Sequence, residues 1–349
     1  HNLIHTGWVS TPVMAIPGVE ITTELGHCNL FGITEYPSKI PDILQHMGQP
    51  QMETDLLDQI QEAVEHHWIV SVNHPFLHIW KWLCGSLSLE QIGAMEIIND
   101  PTYDYAREAN DKTIRFLDLL HMDGYRITGI GGSDAHNLLE ERYTDADMPS
   151  VAGDPATFVY AEGMSPQSIL QGVRKGNVCV TRYCRMEMQA EEIPGGSMCP
   201  QNGTDGTETA AAVQPEKRAE DKKRYLPGDN LRPGSTVQIH LQLSEMQQEP
   251  ELFAISYRDT EGERRLQRSK VPVKEHTQDQ YVWEITYQTM QQDWQWIRFE
   301  ARDKQGRFMA YTNPLYCGTG EKKWKTYQEA LDYFKEVGDE QLYDKRNLI

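Results

Sequence analysis

The sequence predicts an α/β fold in its first half and an antiparallel β-sandwich in its second half. Between residues 13 and 181, short apolar runs alternate with helical stretches, and strand followed by helix, repeated, is typical of a parallel sheet covered by helices. Between residues 236 and 301, four segments alternate apolar and polar residues and are separated by turn residues. This pattern indicates antiparallel strands packed in two layers.

The elements of the first half follow one another in order. Apolar residues recur at helical spacing over 53–68 and 105–122, which predicts a helix in each segment. The best-marked helix begins with Ser165 and Pro166 and ends at Gly176, because Ser is a favoured N-cap, Pro fits the first helical position and Gly fits just past the end. Predicted strands cover 13–16, 69–72, 94–98, 126–130, 157–160 and 178–181.

The second half begins with a change in composition. Residues 195–229 are rich in Gly, Pro, Thr, Ala and charge without apolar periodicity, which predicts a flexible insertion or a long loop. Predicted strands follow at 236–243, 252–257, 281–287 and 296–301. The predicted units are a first domain at 1–185, an insertion at 186–234, a β-sandwich at 235–318 and a helical tail at 319–349.

Aromatic residues in the second half allow two interpretations. Tyr257, Trp283, Tyr287 and Trp296 could form a platform for a carbohydrate, but aromatic side chains in strands usually fill a core or pair across strands. Core packing is therefore the prediction. The tail carries one apolar helical stripe, which is expected to dock on the chain itself or on a second copy. This stripe contains Trp324, Tyr327, Leu331 and Phe334.

The charge of the chain argues against one large class of partner. The 349 residues include 33 basic and 52 acidic side chains, a formal net charge of −19, whereas nucleic-acid binding depends on clustered Lys and Arg. No stretch of about 20 apolar residues predicts a membrane span. The six cysteines have no Cys-x-x-Cys spacing, which favours free thiols in a reducing, cytoplasmic compartment. Because the chain starts at His1 rather than Met, an export signal further upstream is an alternative.

Five side chains of the kinds that bind metals follow predicted strands. Glu20, His74, Asp134 and His136 each come within a few residues of a strand end, and His27 lies in the segment after Glu20. Asp134 and His136 stand two residues apart, so in an extended segment they project to the same side and can reach one metal. Singly, each residue is better explained as an ordinary loop or turn residue. Jointly they favour a site for zinc, manganese or iron, since active sites of α/β barrels lie at the carboxyl ends of strands.

Several short motifs in the first half resemble those of the PHP (polymerase and histidinol phosphatase) superfamily, particularly its CehA/McbA-like metallohydrolases. In chain order they are I-P-G-V-E-I at 16–21, G-H-C-N at 26–29, V-N-H-P at 72–75, G-S-D-A-H at 132–136 and G-N-V-C-V-T at 176–181. The resemblance covers roughly residues 1–185. It implies a distorted (β/α)7 TIM-like barrel that holds two or three divalent metal ions and hydrolyses phosphate or carboxylate esters.

The resemblance also implies a role for each matched residue. Glu20 would bridge two metals, with Asp134 on one of them and two histidines on the other. The first two residues, His1 and Asn2, resemble the end of the family's Thr-Asp-His-Asn motif, which would place His1 beside His136 on a further metal. The metal ligands implied in this way are His1, Glu20, His27, His74, Asp134 and His136, and the residues expected to take part in catalysis are Glu20, His74, Asp134 and His136.

The chain departs from this family at its start. Members open with a His-x-His motif on the first strand, which is not in the sequence, so we expect the first strand to lie upstream of His1. The alternative is a non-catalytic metal- or carbohydrate-binding protein with a degenerate PHP barrel. A nucleic-acid processing module is a third hypothesis, and the acidic charge argues against it.

The predicted function is a metal-dependent hydrolase that cleaves a small-molecule ester through metal-bound hydroxide, with a phosphoester as the leading substrate. No Gly-x-Ser-x-Gly motif supports a serine nucleophile. Arg142, Arg174, Lys175 and Arg182 lie near strand ends and could hold an anionic leaving group, although each is more simply a surface charge; Arg142 and Arg182 are the substrate-binding candidates. Neither nucleic acid nor a membrane is an expected partner, and the C-terminal helix could support a homo-oligomer.

Overall fold

The computed structural model describes residues 9–10, 13–136, 142, 146, 148–193, 223–259, 266–338 and 342–343. His1 and residues 194–222, most of the predicted insertion, lie outside the described residues. The helices are α1 (Ile40–Gln45), α2 (Gln51–Glu65), α3 (Asp104–Met122), α4 (Pro166–Lys175) and α5 (Tyr327–Val337). The strands are β1 (Val9–Ser10), β2 (Val13–Met14), β3 (Gly18–Thr23), β4 (Gly26–Phe31), β5 (Ile69–Val72), β6 (Ala94–Asn99), β7 (Thr128–Gly132), β8 (Ala156–Val159), β9 (Val178–Thr181), β10 (Arg185–Glu192), β11 (Arg224–Tyr225), β12 (Thr236–Ser244), β13 (Pro250–Arg258), β14 (Gln267–Val271), β15 (Glu275–His276), β16 (Gln280–Gln288), β17 (Gln295–Asp303), β18 (Phe308–Thr312) and β19 (Leu315–Cys317).

Strands β3 to β7 form a five-stranded sheet in chain order, called the mixed sheet below. β3 and β4 make a hairpin, and β4 pairs antiparallel with β5. The pairs β5–β6 and β6–β7 are parallel. Helix α3 connects β6 to β7 and packs on β6, with Phe116 and Leu117 fully buried. The mixed sheet therefore joins an antiparallel half to a parallel half.

Two further sheets face each other across a shared hydrophobic core. The large sheet runs β14-β13-β17-β18-β9-β8 with β19 paired to β17, and the small sheet runs β11-β10-β12-β16-β15. Their pairings are antiparallel. Met188 and Ile239 of the small sheet pack in one cluster with Phe299 and Ala301 of the large sheet. Because β8 and β9 precede residue 185, the large sheet combines strands from both sides of the predicted domain boundary.

The predicted (β/α)7 barrel is wrong. The described residues form nineteen strands but five α-helices, and the mixed sheet stays open. Only two residues link β3 to β4, and so short a link joins antiparallel neighbours, since a parallel crossover needs a dozen residues or more. Between β5 and β6 the described chain makes only short 3-10 turns, at His78–Trp80 and Leu89–Gln91, in place of an α-helix. The repeated strand and helix of a barrel is thus missing from these segments.

Side chains take the place of a neighbouring strand along the outer edge of β7. The N–H of Gly129 donates to Asn313 Oδ1 at 2.7 Å, and Asn313 Nδ2 donates back to the Gly129 carbonyl at 3.0 Å. The N–H of Gly131 donates to Thr157 Oγ1 at 2.9 Å, and that hydroxyl donates to the Gly131 carbonyl at 2.8 Å. Because these contacts satisfy the backbone of the edge, β7 ends the mixed sheet where a barrel would continue.

Most predicted elements are present with shifted ends. The helices predicted over 53–68 and 105–122 are α2 and α3. Ser165 caps α4 by accepting the N–H of Ser168 at 3.1 Å, and Gly176 ends the helix with φ of 76°, as the sequence predicts. The four strands predicted between 236 and 301 are β12, β13, β16 and β17. The sequence analysis misses the hairpin β3–β4 and also β10, which lies almost entirely within the predicted insertion at 186–234 and pairs with β12.

The aromatic residues proposed as a carbohydrate platform are core residues. Tyr257, Trp283, Tyr287 and Trp296 are all buried, so they present no ring surface to a sugar. The predicted interpretation, core packing, is confirmed.

The C-terminal helix docks on the chain itself. Tyr327 and Phe334 of α5 pack against Phe116 of α3, with ring centroids 5.2 and 5.3 Å apart.

Among the described helices, none is both long enough and apolar enough to cross a bilayer. The five described cysteines are free and buried.

Candidate metal centre

The mixed sheet brings Glu20, His27 and His74 together. Thr22 pairs with His27 across the β3–β4 hairpin, and Glu20 lies on the same face as Thr22 because alternate strand residues share a face. Glu20 Oε1 is therefore only 3.1 Å from His27 Nδ1. Just after β5, the N–H of Asn73 donates to the His27 carbonyl at 3.0 Å, which carries His74 to the same place. The rings of His27 and His74 lie edge to face with centroids 4.8 Å apart.

These three side chains could hold a metal ion. One ligand atom from each lies within 4.8 Å of the other two. His74 is buried, His27 is half-buried and Glu20 is exposed, so the cluster runs from the interior to solvent. His74 Nδ1 is buried and has no hydrogen-bond partner among the described residues. An unpaired buried polar atom is costly, and coordination of a metal ion would relieve this cost. One carboxylate and two imidazoles suit a divalent transition metal.

The protonation states also suit metal binding. The hydrogen bond from His27 holds the pKa of Glu20 below its ordinary value, and the charges of His27 and His74 act in the same direction against burial. Burial lowers the pKa of His74, and repulsion from His27 lowers it further, although Asp134 and Glu20 oppose this. Glu20 thus tends to be ionised and His74 neutral, which are the forms that bind metals.

The cluster forms one wall of a cleft of about 600 Å³. Asp134 and His136 line the same cleft, so the structure gathers all five predicted side chains of the described region around one space. The two residues also contact each other, because His136 Nδ1 donates to the Asp134 carbonyl at 2.7 Å and lies 3.5 Å from Asp134 Oδ1. They do not belong to the group whose ligand atoms lie within 4.8 Å of one another.

Glu96 of β6 is buried behind the cluster and is not among the predicted ligands. Its Oε2 accepts the N–H of His74 and the Nδ2 of Asn99, both at 3.1 Å. Burial raises the pKa of Glu96 well above its ordinary value, and repulsion from Asp134 adds to this. A Cβ on Gly132 would collide with Glu96 Oε1, so that glycine makes room for the carboxyl group. The signal in the sequence was a glutamate inside an otherwise apolar strand.

Three non-glycine residues around the cleft have left-handed backbone angles. The φ values are 28° for His74, 25° for Asp100 and 48° for Asp134. Such angles are unfavourable for residues with a Cβ, and they persist only where contacts with the surrounding structure fix the backbone. Asp100 was not predicted as a site residue, although it directly follows β6 and lines the cleft.

The predicted arginines lie elsewhere. Arg182 donates from Nε and Nη2 to the two carboxylate oxygens of Asp154, both at 2.8 Å, and does not line the cleft. Arg142 is exposed and is also not among the lining residues. Arg174 donates to the carbonyl of His67, and Lys175 lies 3.7 Å from Glu162. The described cleft therefore receives no cation from these four residues.

No protein-family model and no curated protein matches this chain. The resemblance to the PHP superfamily thus rests on the sequence motifs alone.

Proposed function

We propose that the protein binds one divalent metal ion, zinc in the first instance, through Glu20, His27 and His74 and hydrolyses an ester of a small molecule. The observation that carries this proposal is the convergence of a carboxylate and two imidazoles on the wall of an open cleft. Three protein ligands leave positions for water and substrate. A divalent ion held there would make a water ligand more acidic and polarise the ester.

The protonation states and backbone contacts of the cluster already suit metal binding. Glu20 is kept ionised by His27, and His74 is kept neutral by burial. Glu96 accepts the backbone N–H of His74, which ties this ligand residue to β6. The ligands therefore need little rearrangement, which favours tight and geometrically defined binding.

Asp134 and His136 supply proton transfer across the cleft. Donation from His136 Nδ1 to the Asp134 carbonyl leaves Nε2 able to accept a proton from water and to return it to the departing oxygen. In the hydrolysis the water oxygen bonds to the acyl carbon or phosphorus, the bond from that atom to the alcohol oxygen breaks, and the alcohol leaves with a proton. Water is the only co-reactant.

The test combines metal analysis with turnover. The purified protein, loaded with zinc, manganese or iron, is assayed with phosphomonoesters, phosphodiesters and carboxylate esters. We expect one metal ion per chain and a hydrolysis that is lost on chelation and restored by metal. His74→Ala should reduce kcat/KM at least about a hundredfold. His66→Ala, which removes an exposed histidine paired with Glu35, is the control and should retain activity.

The outcomes separate the proposal from its rival. Stoichiometric metal without hydrolysis of any ester would favour the non-catalytic metal-binding protein. Absence of bound metal would reject both the metal-dependent hydrolase and the non-catalytic metal-binding protein.

A further inference from the structure

The cleft is acidic. Its lining includes the carboxylates of Glu20, Asp100 and Asp134, and none of its described lining residues is a lysine or an arginine. One divalent ion on the Glu20 cluster would offset two of these three negative charges, so the space beside it stays anionic. The chain as a whole has a net charge of −19, which attracts cations to such a cleft and repels anions.

Asp100 is held firmly in this lining. Its Oδ1 accepts hydrogen bonds from Thr102 Oγ1 at 2.6 Å and Ser150 Oγ at 2.9 Å. The same Ser150 hydroxyl lies 3.0 Å from the carbonyl of Ser133, next to Asp134. Neutral hydroxyl donors orient the Asp100 carboxylate without neutralising it. Its charge remains available to a ligand.

Asn99 adds an acceptor without a partner. It lines the cleft and is 1% exposed. Its Nδ2 donates to Glu96, while its Oδ1 is buried with no hydrogen-bond partner among the described residues. An unpaired buried acceptor is costly, and a ligand that donates an N–H would relieve the cost.

Aromatic rings complete the lining. Trp80 lines the cleft with 41% of its surface exposed, and Tyr103 lies in the same lining. The faces of such rings attract organic cations, and Trp does so most strongly. Carboxylates, an unpaired acceptor and aromatic faces together form a surface that suits an alkylammonium group.

We propose that the ester hydrolysed here carries a positively charged alkylammonium group on its alcohol portion, which binds between Asp100, Asn99 and Trp80; this inference rests on the proposed hydrolase function. The predicted anionic leaving group finds no described arginine or lysine in the cleft. The reaction releases an amino alcohol and an acid, with water as co-reactant.

The test uses substrates that differ in charge but hardly in shape. Protonated 2-(dimethylamino)ethyl acetate is compared at pH 7 with neutral 3-methylbutyl acetate and with anionic 3-acetoxypropanoate. The phosphate esters of the first two alcohols form a second matched pair. With metal-loaded protein we expect kcat/KM for the cationic ester to exceed that for the neutral one at least about tenfold. A ratio near one, or a preference for the anionic ester, would overturn the proposal.

Two variants locate the effect. Asp100→Asn keeps the atom that Thr102 and Ser150 contact but removes the charge, and Trp80→Leu removes the ring. Each should lower the ratio of cationic to neutral kcat/KM at least about threefold. Asp332→Asn removes the same charge from a 62% exposed side chain on α5, outside the cleft, and should leave the ratio unchanged.

Direct binding keeps this inference separate from the proposed function. Protonated 2-(dimethylamino)ethanol is titrated into the metal-loaded protein by calorimetry, with 3-methylbutan-1-ol as the neutral control. If the amino alcohol binds and its binding weakens in both variants, the alkylammonium site is supported. If no ester is hydrolysed in the same experiments, only the hydrolase function is rejected. Equal or absent binding of the two alcohols would overturn the site.

Discussion

The charged side chains of one buried region pair with one another, whereas the cluster of Glu20, His27 and His74 keeps a buried ring nitrogen without a partner among the described residues. On the contact between α3 and β17, Arg298 donates from Nε and Nη2 to the two oxygens of Asp118, both at 2.6 Å, and both side chains are completely buried. Arg298 also lies 3.1 Å from Glu300, and Tyr343 donates to Asp118 at 2.7 Å. We call Asp118, Arg298, Glu300 and Tyr343 the ion-pair network.

The cluster of Glu20, His27 and His74 differs from this network because buried polar atoms in and beside it have no hydrogen-bond partner in the described part of the chain. His74 Nδ1 and the neighbouring Asn99 Oδ1 are buried without partners among the described residues. The backbone of His74 is held at an unfavourable φ of 28°. The ion-pair network satisfies its own members and holds α3 against the large sheet. The cluster is incomplete with protein atoms alone, which is the expected property of a site that binds a ligand.

Breaking the ion-pair network should give the largest change in stability. We expect Asp118→Ala to lower the free energy of unfolding by about 3 to 5 kcal/mol, because Arg298 would stay buried without its main partner. Urea unfolding measures this loss. The double variant Asp118→Leu with Arg298→Met should recover most of it, since buried ion pairs can be replaced by apolar side chains. A single variant as stable as the wild type would show that the network does not hold the two layers together.

A second buried histidine, His121, also keeps one ring nitrogen, Nε2, without a partner among the described residues. His121 of α3 is completely buried. Its Nδ1 lies 3.1 Å from the Tyr125 carbonyl and 3.1 Å from the Tyr316 hydroxyl. Burial lowers the pKa of His121 to about 3, and the charges of Arg298 and Arg126 add to the shift.

Below about pH 6.5, His121 binds a proton in the unfolded chain but not in the folded chain. The free energy of unfolding should therefore fall as the pH drops from 6.5 towards 3. The loss from His121 should reach about 3 kcal/mol at pH 4. Urea unfolding at several pH values measures it, and His121→Gln should flatten the slope. An unchanged slope in that variant would mean that other groups cause the acid sensitivity.

Adding zinc should stabilise the folded protein through the cluster of Glu20, His27 and His74. At a free zinc concentration one hundred times the dissociation constant, we expect about 2.7 kcal/mol of added stability. Thermal unfolding with and without zinc measures this gain. Glu20→Gln should abolish it, whereas Glu62→Gln, which removes a surface carboxylate bonded to Ser38, should preserve it. Equal stabilisation of both variants would place the ion elsewhere.

The smallest expected effect comes from the edge of the network. Tyr343→Phe removes one donor from Asp118 but leaves both donors of Arg298, so we expect a loss of about 1.5 kcal/mol. Urea unfolding measures it, and zinc affinity should not change. A weaker zinc affinity in this variant would link the two regions and contradict their independence.

Part of the candidate site could be found from the sequence. The sequence analysis predicts Glu20 and His74 as ligands because each follows a predicted strand, and His27 because it lies shortly after Glu20; the structure brings the three side chains together. Asp134 and His136 were predicted with them and line the same cleft. Local residues such as the glycines at 131 and 132 mark the end of a strand. The ligand-type side chains that follow such an end can therefore be found within a few positions.

The remainder of the site depends on residues distant in sequence. Asp100 owes its fixed position to Ser150, fifty positions later, and Arg182 is occupied by Asp154 rather than by a ligand. Asn99 lacks an Oδ1 partner only because of what surrounds it in the fold. No periodicity or motif reports such contacts.

The sequence by itself determined the local elements: the cap and end of α4 at Ser165 and Gly176, the helical period of α3 and the alternation of β12 are set by interactions within a few residues. Only the tertiary structure decided that the mixed sheet stays open instead of closing into a barrel. Gly129 of β7 takes its hydrogen bonds from Asn313, a residue 184 positions away, so the edge is satisfied without another strand. Local patterns predict which segments are strands, but the choice of neighbours depends on long-range contacts.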